Sequence, residues 1–214
     1  MPDEDLLRRL WERLLREQKK RVLKRVPKGM PATVIWGPFW EDEMKRLHPA
    51  VRPTLQELAE QGAMATSESL GIGVDVGLVN LEALGWAHSY TFELITGING
   101  TSQKVVEKAL ENFITTPGYT RGDFEEAIVN TFGEVRAEMI AVTETTRAYA
   151  EGNEIGADEI RRAGIELNTI WLTNADDLVC DICAPLHNKK RGDGWTDLPP
   201  AHVNCRCGVV HEIA

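Results

Sequence analysis

Cys180-Asp181-Ile182-Cys183 and His202-Val203-Asn204-Cys205-Arg206-Cys207 contain all four cysteines of this 214-residue chain. A C-x2-C pair, a gap of about twenty residues and then H-x2-C-x-C is the spacing of a tetrahedral metal site. Random placement explains the pattern poorly, because the first 179 residues contain no cysteine. The sequence therefore predicts a small module at the C-terminal end that a metal ion holds together.

The spacing offers five candidate ligands for four tetrahedral positions: Cys180, Cys183, His202, Cys205 and Cys207. The four sulfurs form one complete set, and a Cys3His set arises if His202 replaces one of the last two cysteines. His187 is a weaker sixth candidate. The sequence does not choose between these sets.

Structural zinc is the cofactor that this pattern favours. A segment of loops this short buries too little apolar surface to fold alone, and a closed zinc site supplies the missing free energy. Disulfides and free thiols that pack as small hydrophobes are the alternatives. A catalytic zinc ion needs an open position and a nearby acid or base. Neither the H-x-E sequence of zinc deaminases nor H-E-x-x-H is present, so no catalytic residue is predicted.

Three regions follow from the rest of the chain. Residues 1–30 form an N-terminal amphipathic basic helix, from Asp3 to about Val26, that stops at Pro27–Pro31. Its apolar stripe contains Leu7, Trp11, Leu15 and Val22, and packs either on the protein's own core or on another subunit. Residues 31–164 form a helical body, and residues 165–214 form the cysteine module.

The helical body is predicted from apolar residues at three-to-four spacing. We expect helices over 41–48 and 53–70, separated by a break at Pro49–Pro53. The next helix covers 80–95 with Leu81, Leu84, His88, Phe92 and Ile95 on its inner face, and Thr101-Ser102 caps the helix after it. A long stretch then begins at Thr120 or Asp123, with Phe124, Ile128, Phe132, Val135, Met139, Val142 and Tyr149 as its apolar side. Gly133 bends or divides that stretch, and a short helix over 158–163 ends at Gly164.

Other polar features of the body have ordinary explanations. We interpret His88 as a core or boundary histidine and Glu144 with Arg147 as an ion pair between neighbouring turns. The glycines of 71–77 lack the preceding strand and the spacing of a phosphate-binding loop.

The module itself is predicted to be loops with one short strand at Ile170–Thr173. Between its two halves lies a basic loop with Lys189, Lys190 and Arg191, followed by Trp195. This loop is either a solvated hairpin tip or a contact for a partner or nucleic acid. The fold class is therefore mainly α, with a small C-terminal loop-and-short-strand module.

Charge limits the classes of function. Residues 1–30 contain ten Lys/Arg against five Asp/Glu, whereas the remainder contains fourteen against twenty-eight, and the net charge is −9. An acidic body argues against general nucleic-acid binding, so DNA is a weak candidate that only the first helix could contact. Neither a long uncharged apolar run nor a signal peptide is present, which predicts a protein of the reducing cytoplasm with no membrane span.

Three motifs carry a resemblance to a known family. Thr143-Glu144-Thr145 on a helix, Trp171-Leu172-Thr173 on a strand and the closing His202-Val203-Asn204-Cys205-Arg206-Cys207 resemble the phage head morphogenesis family, that of phage Mu minor head protein F. Family members read H-P before the last cysteines, where this chain has Val203, and they often carry an arginine before the T-E pair. The motifs cover residues 137–207; the helical order of 35–136 is compatible but less specific.

The resemblance implies a non-enzymatic minor head protein of the virion, assembled in the host cytoplasm. It implies docking on the portal protein and on capsid or scaffold subunits, with help in head assembly, DNA packaging or delivery. The rival hypotheses are a zinc-dependent enzyme acting on nucleic acid and a nucleic-acid-binding zinc module with the first helix as its basic surface.

Overall fold

The computed structural model describes residues 4–26, 36–174 and 179–214. These residues form five α-helices and two β-strands: α1 (Glu4–Arg25), α2 (Gly37–Leu70), α3 (Val76–Thr115), α4 (Arg121–Ile128), α5 (Glu134–Arg162), β1 (Leu167–Leu172) and β2 (Gly208–Ile213). Short 3-10 turns cover Val129–Phe132 and Ala184–Leu186. The predicted fold class, mainly helical with a small C-terminal strand module, is confirmed. No helix of the described residues is long and apolar enough to cross a membrane.

Helix α1 packs into the protein's own core, which decides between the two alternatives for its apolar stripe. Leu7, Trp11, Leu15 and Val22 are all buried. The Arg121 guanidinium donates hydrogen bonds to the carbonyls of Leu23 and Val26 and so satisfies the C-terminal end of the helix. The predicted stop at Pro27–Pro31 lies outside the described residues.

The predicted break at Pro49–Pro53 is wrong, because α2 runs through both prolines. Pro49 and Pro53 are exposed, whereas Leu47, Val51 and Leu55 between and beside them are buried. The two prolines lie four residues apart on the solvent side, and the burial of the opposite face outweighs their cost of about 3 kcal/mol each. The helix ends at Gly71, whose φ of 66° is left-handed.

The predicted boundary near Thr101 is also wrong, because α3 is one helix of 40 residues. Asp75 caps its start by accepting from the backbone N–H groups of Gly77 and Leu78. Thr101 and Ser102 do not cap a helix; their hydroxyls donate to the carbonyls four residues before them, of Gly97 and Ile98.

The predicted inner face of α3 is mostly its outer face. Leu81, Phe92 and Leu84 are 65%, 57% and 37% exposed, and His88 is exposed as well. Of that set only Ile95 is buried; the buried face carries smaller residues, Val79, Ala83, Ala87 and Thr91. In this part of α3 the buried face therefore carries smaller apolar side chains than the exposed face.

Gly133 divides the stretch from Thr120, as predicted. Thr120 and Asp123 form a capping box for α4, and Gly133 precedes α5. Val135 and Met139 are exposed rather than buried, whereas Ala137 and Ala141 on the same turns of α5 are fully buried, so the core-facing side of α5 carries the alanines. The predicted helix over 158–163 is the C-terminal end of α5, which stops at Arg162, and Gly164 with its left-handed φ of 90° lies two residues beyond.

Close contact between α2 and α5 depends on three glycines. A Cβ atom at Gly152 would lie 1.9 Å from the Ala59 carbonyl oxygen, and one at Gly62 would lie 2.3 Å from that of Tyr149. A Cβ atom at Gly156 would lie 2.6 Å from the Ala63 carbonyl oxygen. These clashes are with backbone, so the two helices pack at a distance that only glycine permits.

The module is a two-stranded antiparallel sheet with the cysteine loops on one side. β1 confirms the predicted strand, and β2 pairs with it from Leu167↔Ile213 to Leu172↔Gly208. Strand β2 was not predicted from the sequence. A small core of buried side chains lies beside the sheet: Trp171, Cys183, Trp195, Cys205, Cys207 and Val209.

Candidate metal centre

The structure brings all five predicted ligands together in two overlapping groups. Cys180, Cys183 and His202 form one group, and Cys183, Cys205 and Cys207 form the other. Within each group the ligand atoms all lie within 4.8 Å of one another. Cys183 belongs to both groups, so the two halves of the motif meet at its sulfur. The cluster could hold a metal ion.

Distances in the cluster fit a tetrahedral ion. With bonds of about 2.3 Å to sulfur and 2.0–2.1 Å to nitrogen, tetrahedral edges are about 3.8 Å between sulfurs and about 3.6 Å between sulfur and nitrogen. Cys183 Sγ lies 3.8 Å from Cys205 Sγ. His202 Nε2 lies 3.1 Å from Cys180 Sγ and 3.3 Å from Cys183 Sγ. The sulfur edge matches, and the two sulfur–nitrogen edges are a few tenths of an ångström short.

The His202 ring is oriented for ligation through Nε2. Its Nδ1 lies 2.8 Å from the Val203 carbonyl oxygen, which can only accept, so Nδ1 carries the hydrogen. This leaves the Nε2 lone pair directed at the sulfurs of Cys180 and Cys183, the arrangement by which proteins fix metal-binding histidines. The same hydrogen bond to Val203 raises the pKa of His202.

The thiols differ strongly in acidity because they crowd one another. Burial raises the pKa of Cys183 to about 12, whereas the hydrogen bond from Cys207 lowers the pKa of Cys205 to about 5. The backbone N–H of Cys183 lowers the pKa of Cys180. Cys205 and Cys180 therefore have lower pKa values than the buried Cys183, which belongs to both groups. A bound cation favours thiolates at the other positions as well.

The buried Trp171 indole adds an unused donor to the cluster. Among the described residues its N–H has no hydrogen-bond acceptor. The neighbouring Cys205 and burial raise the pKa of Cys207, and the Trp171 indole acts in the opposite direction. A thiolate at Cys207 gives this orphaned donor an acceptor, so the donor set fits an ionised, metal-binding form.

Helix α5 holds the second ligand loop through two threonines. Thr143 Oγ1 accepts from the backbone N–H of Asn204 at 2.9 Å, and Thr146 Oγ1 donates to the Cys205 carbonyl at 2.7 Å. Asn204 has a left-handed φ of 66°, which turns the chain between His202 and Cys205. These bonds fix the backbone that follows Val203 and leads to Cys205. Sequence reasoning missed this role, although both threonines flank the Glu144 position that it had noted.

A salt bridge connects the ligand loop to the start of α1. Arg206, between the last two cysteines, lies 3.0 Å from Glu4. The first turn of α1 thus contacts the loop that carries the last candidate ligands, although 202 positions separate the two residues. The sequence holds no signal for this pair.

The first ligand pair lies on a turn that its own backbone closes. The N–H groups of Cys183 and Ala184 both donate to the Cys180 carbonyl. The weaker candidate His187 is directed elsewhere, since its Nδ1 lies 2.9 Å from Thr173 Oγ1 and it joins neither ligand group.

In the basic loop, Arg191 is engaged within the protein. It lies 3.0 Å from Glu154 and donates to the Thr196 carbonyl. The side chains of Lys189 and Lys190 are exposed, and they stay candidate contacts.

Glu154 joins α5 to the module. Arg161 and Arg191 lie 2.9 and 3.0 Å from one of its carboxylate oxygens, and the buried His211 on β2 lies 3.3 Å from the other. Burial raises the pKa of Glu154, but His211 and Arg161 outweigh it and lower that pKa to about 2. The ionised carboxylate of Glu154 therefore links the helical body to the module through ion pairs.

Glu144 forms the predicted ion pair with Arg147, at 3.6 Å, and one contact more. Its carboxylate accepts a 2.5 Å hydrogen bond from the Tyr90 hydroxyl on α3. Burial raises the pKa of Glu144, while Tyr90 and Arg147 lower it. The group thus connects α3 to the helix that carries the threonine anchors.

One family matches this chain. The family model described as Phage Mu protein F like protein matches residues 93–210, more than half of the chain. The matched range runs from the second half of α3 through α4 and α5 to β2, and includes all five candidate ligands. Neither a curated protein nor a solved structure matches the chain significantly.

Proposed function

Because the chain belongs to the Phage Mu protein F like family, a family of phage head morphogenesis, we propose that it is a minor head protein that docks at the portal vertex and assists head assembly, DNA packaging or delivery. Its role in this proposal is non-enzymatic and its site of action is the virion. Its partners are the portal protein and capsid or scaffold subunits.

The family match over residues 93–210 carries the proposal. That range holds the metal cluster together with the helix that anchors it, so the shared part of the fold is a positioned module. Both the ligand spacing and the hydrogen bonds that Thr143 and Thr146 form with the ligand loop support a structural role for the metal. We propose zinc as the ion, since three or four thiolates with or without one imidazole suit zinc at tetrahedral geometry.

A protein-docking surface is available on α3, beside the matched range. Leu78, Leu81, Leu84 and Phe92 form an exposed apolar strip, each between 37% and 65% exposed. Clustered exposed apolar side chains of this kind mark protein interaction sites. Because the proposed partner is a portal subunit, we assign the apolar strip to that contact.

Co-purification with the portal ring tests the proposal. The wild-type chain, co-expressed with the portal protein of its own phage, is expected to remain bound to the ring through gel filtration. The double variant Leu81→Asp, Phe92→Asp should lose most of that binding while keeping its zinc and its helical circular dichroism. Val135→Asp is the matched control, because Val135 is 74% exposed and lies on α5 outside the apolar strip.

Three results would count against the proposal. A wild-type chain that elutes free of the portal ring and of procapsids removes the docking role. If the double variant still binds the portal ring, the contact lies on another surface than the apolar strip. Less than half an equivalent of zinc in protein purified without chelator contradicts the zinc assignment.

A further inference from the structure

Helix α1 has a row of cations on its solvent face that the core does not use. Arg13, Arg16, Lys20 and Lys24 are all exposed and recur at three- and four-residue spacing, which places them in a line on one side of the helix. We call them the basic row. With a rise of 1.5 Å per residue the row is about 16 Å long. It lies opposite the buried side of the helix, where Trp11 and Val22 pack.

The acids of α1 are neutralised by other groups, whereas the basic row is not. Each acid has an ion-pair partner, and the pairs are Glu4–Arg206, Asp5–Arg8 and Asp5–Arg9, Glu12–Arg8, and Glu17–Arg46. Within the part of the chain that the structure describes, no residue of the basic row takes part in an ion pair. The row therefore presents four uncompensated charges to solvent.

The helix that carries the row is held rigidly. Gln18, on its buried side, donates to Glu43 at 3.1 Å and to Asn99 at 2.9 Å, and so links α1 to α2 and α3. Glu43 is fully buried and also pairs with Arg46 at 2.7 Å. Because both ends of α1 are fixed as well, by Arg206 and Arg121, the charges keep their alignment without a partner.

We propose that the basic row binds duplex DNA along its phosphate backbone, without sequence preference. A row of evenly spaced cations suits a linear polyanion, which carries one negative charge per about 1.7 Å of duplex axis. An acidic protein partner fits less well, because stable protein interfaces need an apolar centre and no exposed large hydrophobic side chain lies between Arg13 and Lys24.

The charge of the remaining chain supports an oriented contact. Residues 31–214 contain fourteen Lys/Arg against twenty-eight Asp/Glu, so the body repels DNA and α1 turns toward it. The apolar strip on α3 stays available for a protein partner. The inference rests on the surface of α1 and not on portal docking, so each can fail without the other.

Fluorescence anisotropy with a labelled duplex of about 20 base pairs tests the proposal. Four phosphate contacts predict a slope of about −3.6 for the logarithm of the binding constant against that of salt, or roughly a hundredfold loss between 50 and 200 mM. The variant Lys20→Gln, Lys24→Gln should reduce the magnitude of the slope by about 1.8. Glutamine preserves helix propensity, so the fold is retained.

The matched control is Lys45→Gln, Lys104→Gln, which removes two exposed charges from α2 and α3. It should leave the slope unchanged. Equal effects of the two double variants, or a wild-type slope near zero, overturn the proposal. The proposal is also overturned if DNA binding is lost in the variant Lys189→Gln, Lys190→Gln but kept in the variant Lys20→Gln, Lys24→Gln. A chain that ignores DNA but binds polyglutamate, or self-associates in sedimentation through the row, assigns the row to an acidic protein surface instead.

Discussion

The helical body and the C-terminal module differ in the interactions that stabilise them. The body buries side chains from all five helices in one cluster, with Trp11, Phe39, Leu55 and Phe124 almost fully enclosed. The module has two short strands and a core of six buried residues, three of which are cysteines. Apolar burial is sufficient for a core of that size, whereas we expect so small a core as that of the module to depend on a bound metal ion. The two regions should therefore fail independently and under different treatments.

The largest expected effect is the loss of the module when its shared ligand is removed. Cys183→Ser takes one sulfur from both ligand groups, and structural zinc contributes about 10–16 kcal/mol to small zinc domains. We expect residues 165–214 to become sensitive to protease and zinc content to fall, while most of the helical circular dichroism remains.

Ile182→Ser is the control for that change, because Ile182 is 60% exposed and lies between the two first cysteines. It should keep full zinc content. Separate substitutions of His202 and Cys207 identify the fourth ligand. The variant that loses zinc lacks a ligand, and the variant that keeps zinc lacks a dispensable residue. Unchanged protease resistance in Cys183→Ser contradicts a metal-dependent module.

The matching change in the body is Gly152→Ala. The added Cβ meets the Ala59 carbonyl at 1.9 Å, and the α2 backbone cannot move without disturbing the core. We expect a loss of about 3 kcal/mol in the free energy of unfolding of the body, with zinc still bound. Thermal and urea denaturation of the helical signal measure it.

Gly85→Ala provides the comparison, since nothing lies within 4 Å of a Cβ at that position on α3. Alanine should stabilise this helix by about 0.5–1 kcal/mol. If both substitutions behave alike, the close crossing of α2 and α5 does not limit stability.

Much of the body could be predicted from its sequence, and the errors have one cause. Apolar periodicity located the helices but placed the inner side of α3 on Leu81 and Phe92, the bulkier face. Periodicity alone did not show that the smaller Ala83 and Ala87 lie on the buried face. The Pro49–Pro53 boundary failed for a related reason: local propensity is weak against the burial of Leu47 and Val51 on the other side.

The candidate metal ligands could be selected from the sequence because metal chemistry restricts both residue type and spacing, and the structure brings their side chains together. The groups that position them could not be selected in this way. Thr146 is 59 positions from Cys205 and Glu4 is 202 from Arg206, and neither spacing follows any local rule. Strand β2 was missed because Val203–Ile213 carries the ligand loop and the strand in one short segment, with too few residues to show an alternating pattern.

A smaller effect is expected where the two regions meet, at Thr146. Thr146→Val keeps the shape of the side chain but removes the hydrogen bond to the Cys205 carbonyl, in a position only 1% exposed. Leaving that carbonyl unpaired costs about 1–3 kcal/mol, which we expect to appear as weaker zinc retention in a chelator competition. Thr101→Val, on the exposed side of α3, should change neither zinc retention nor stability.

The smallest expected effect is the pH dependence of the stability that the Glu154 carboxylate contributes. Because the folded-state pKa of Glu154 is about 2, below its ordinary value of 4.5, its ionisation stabilises the fold above pH 4.5. That contribution declines as the pH falls from 4.5 toward 2. Glu154→Gln should therefore cost about 1–2 kcal/mol at pH 7, allowing for solvent screening, and progressively less in acid.

Urea denaturation of wild type and of Glu154→Gln at matched pH isolates the contribution of the Glu154 charge to the free energy of unfolding. Protonation of the candidate metal ligands in acid affects both proteins alike. Glu151→Gln is the informative control, because burial raises the pKa of Glu151 and its ionisation opposes folding. Neutralising Glu151 should leave stability at pH 7 unchanged or higher. If Glu154→Gln instead costs the same at every pH, the side chain joins module to body by its shape and hydrogen bonds, and its charge contributes nothing.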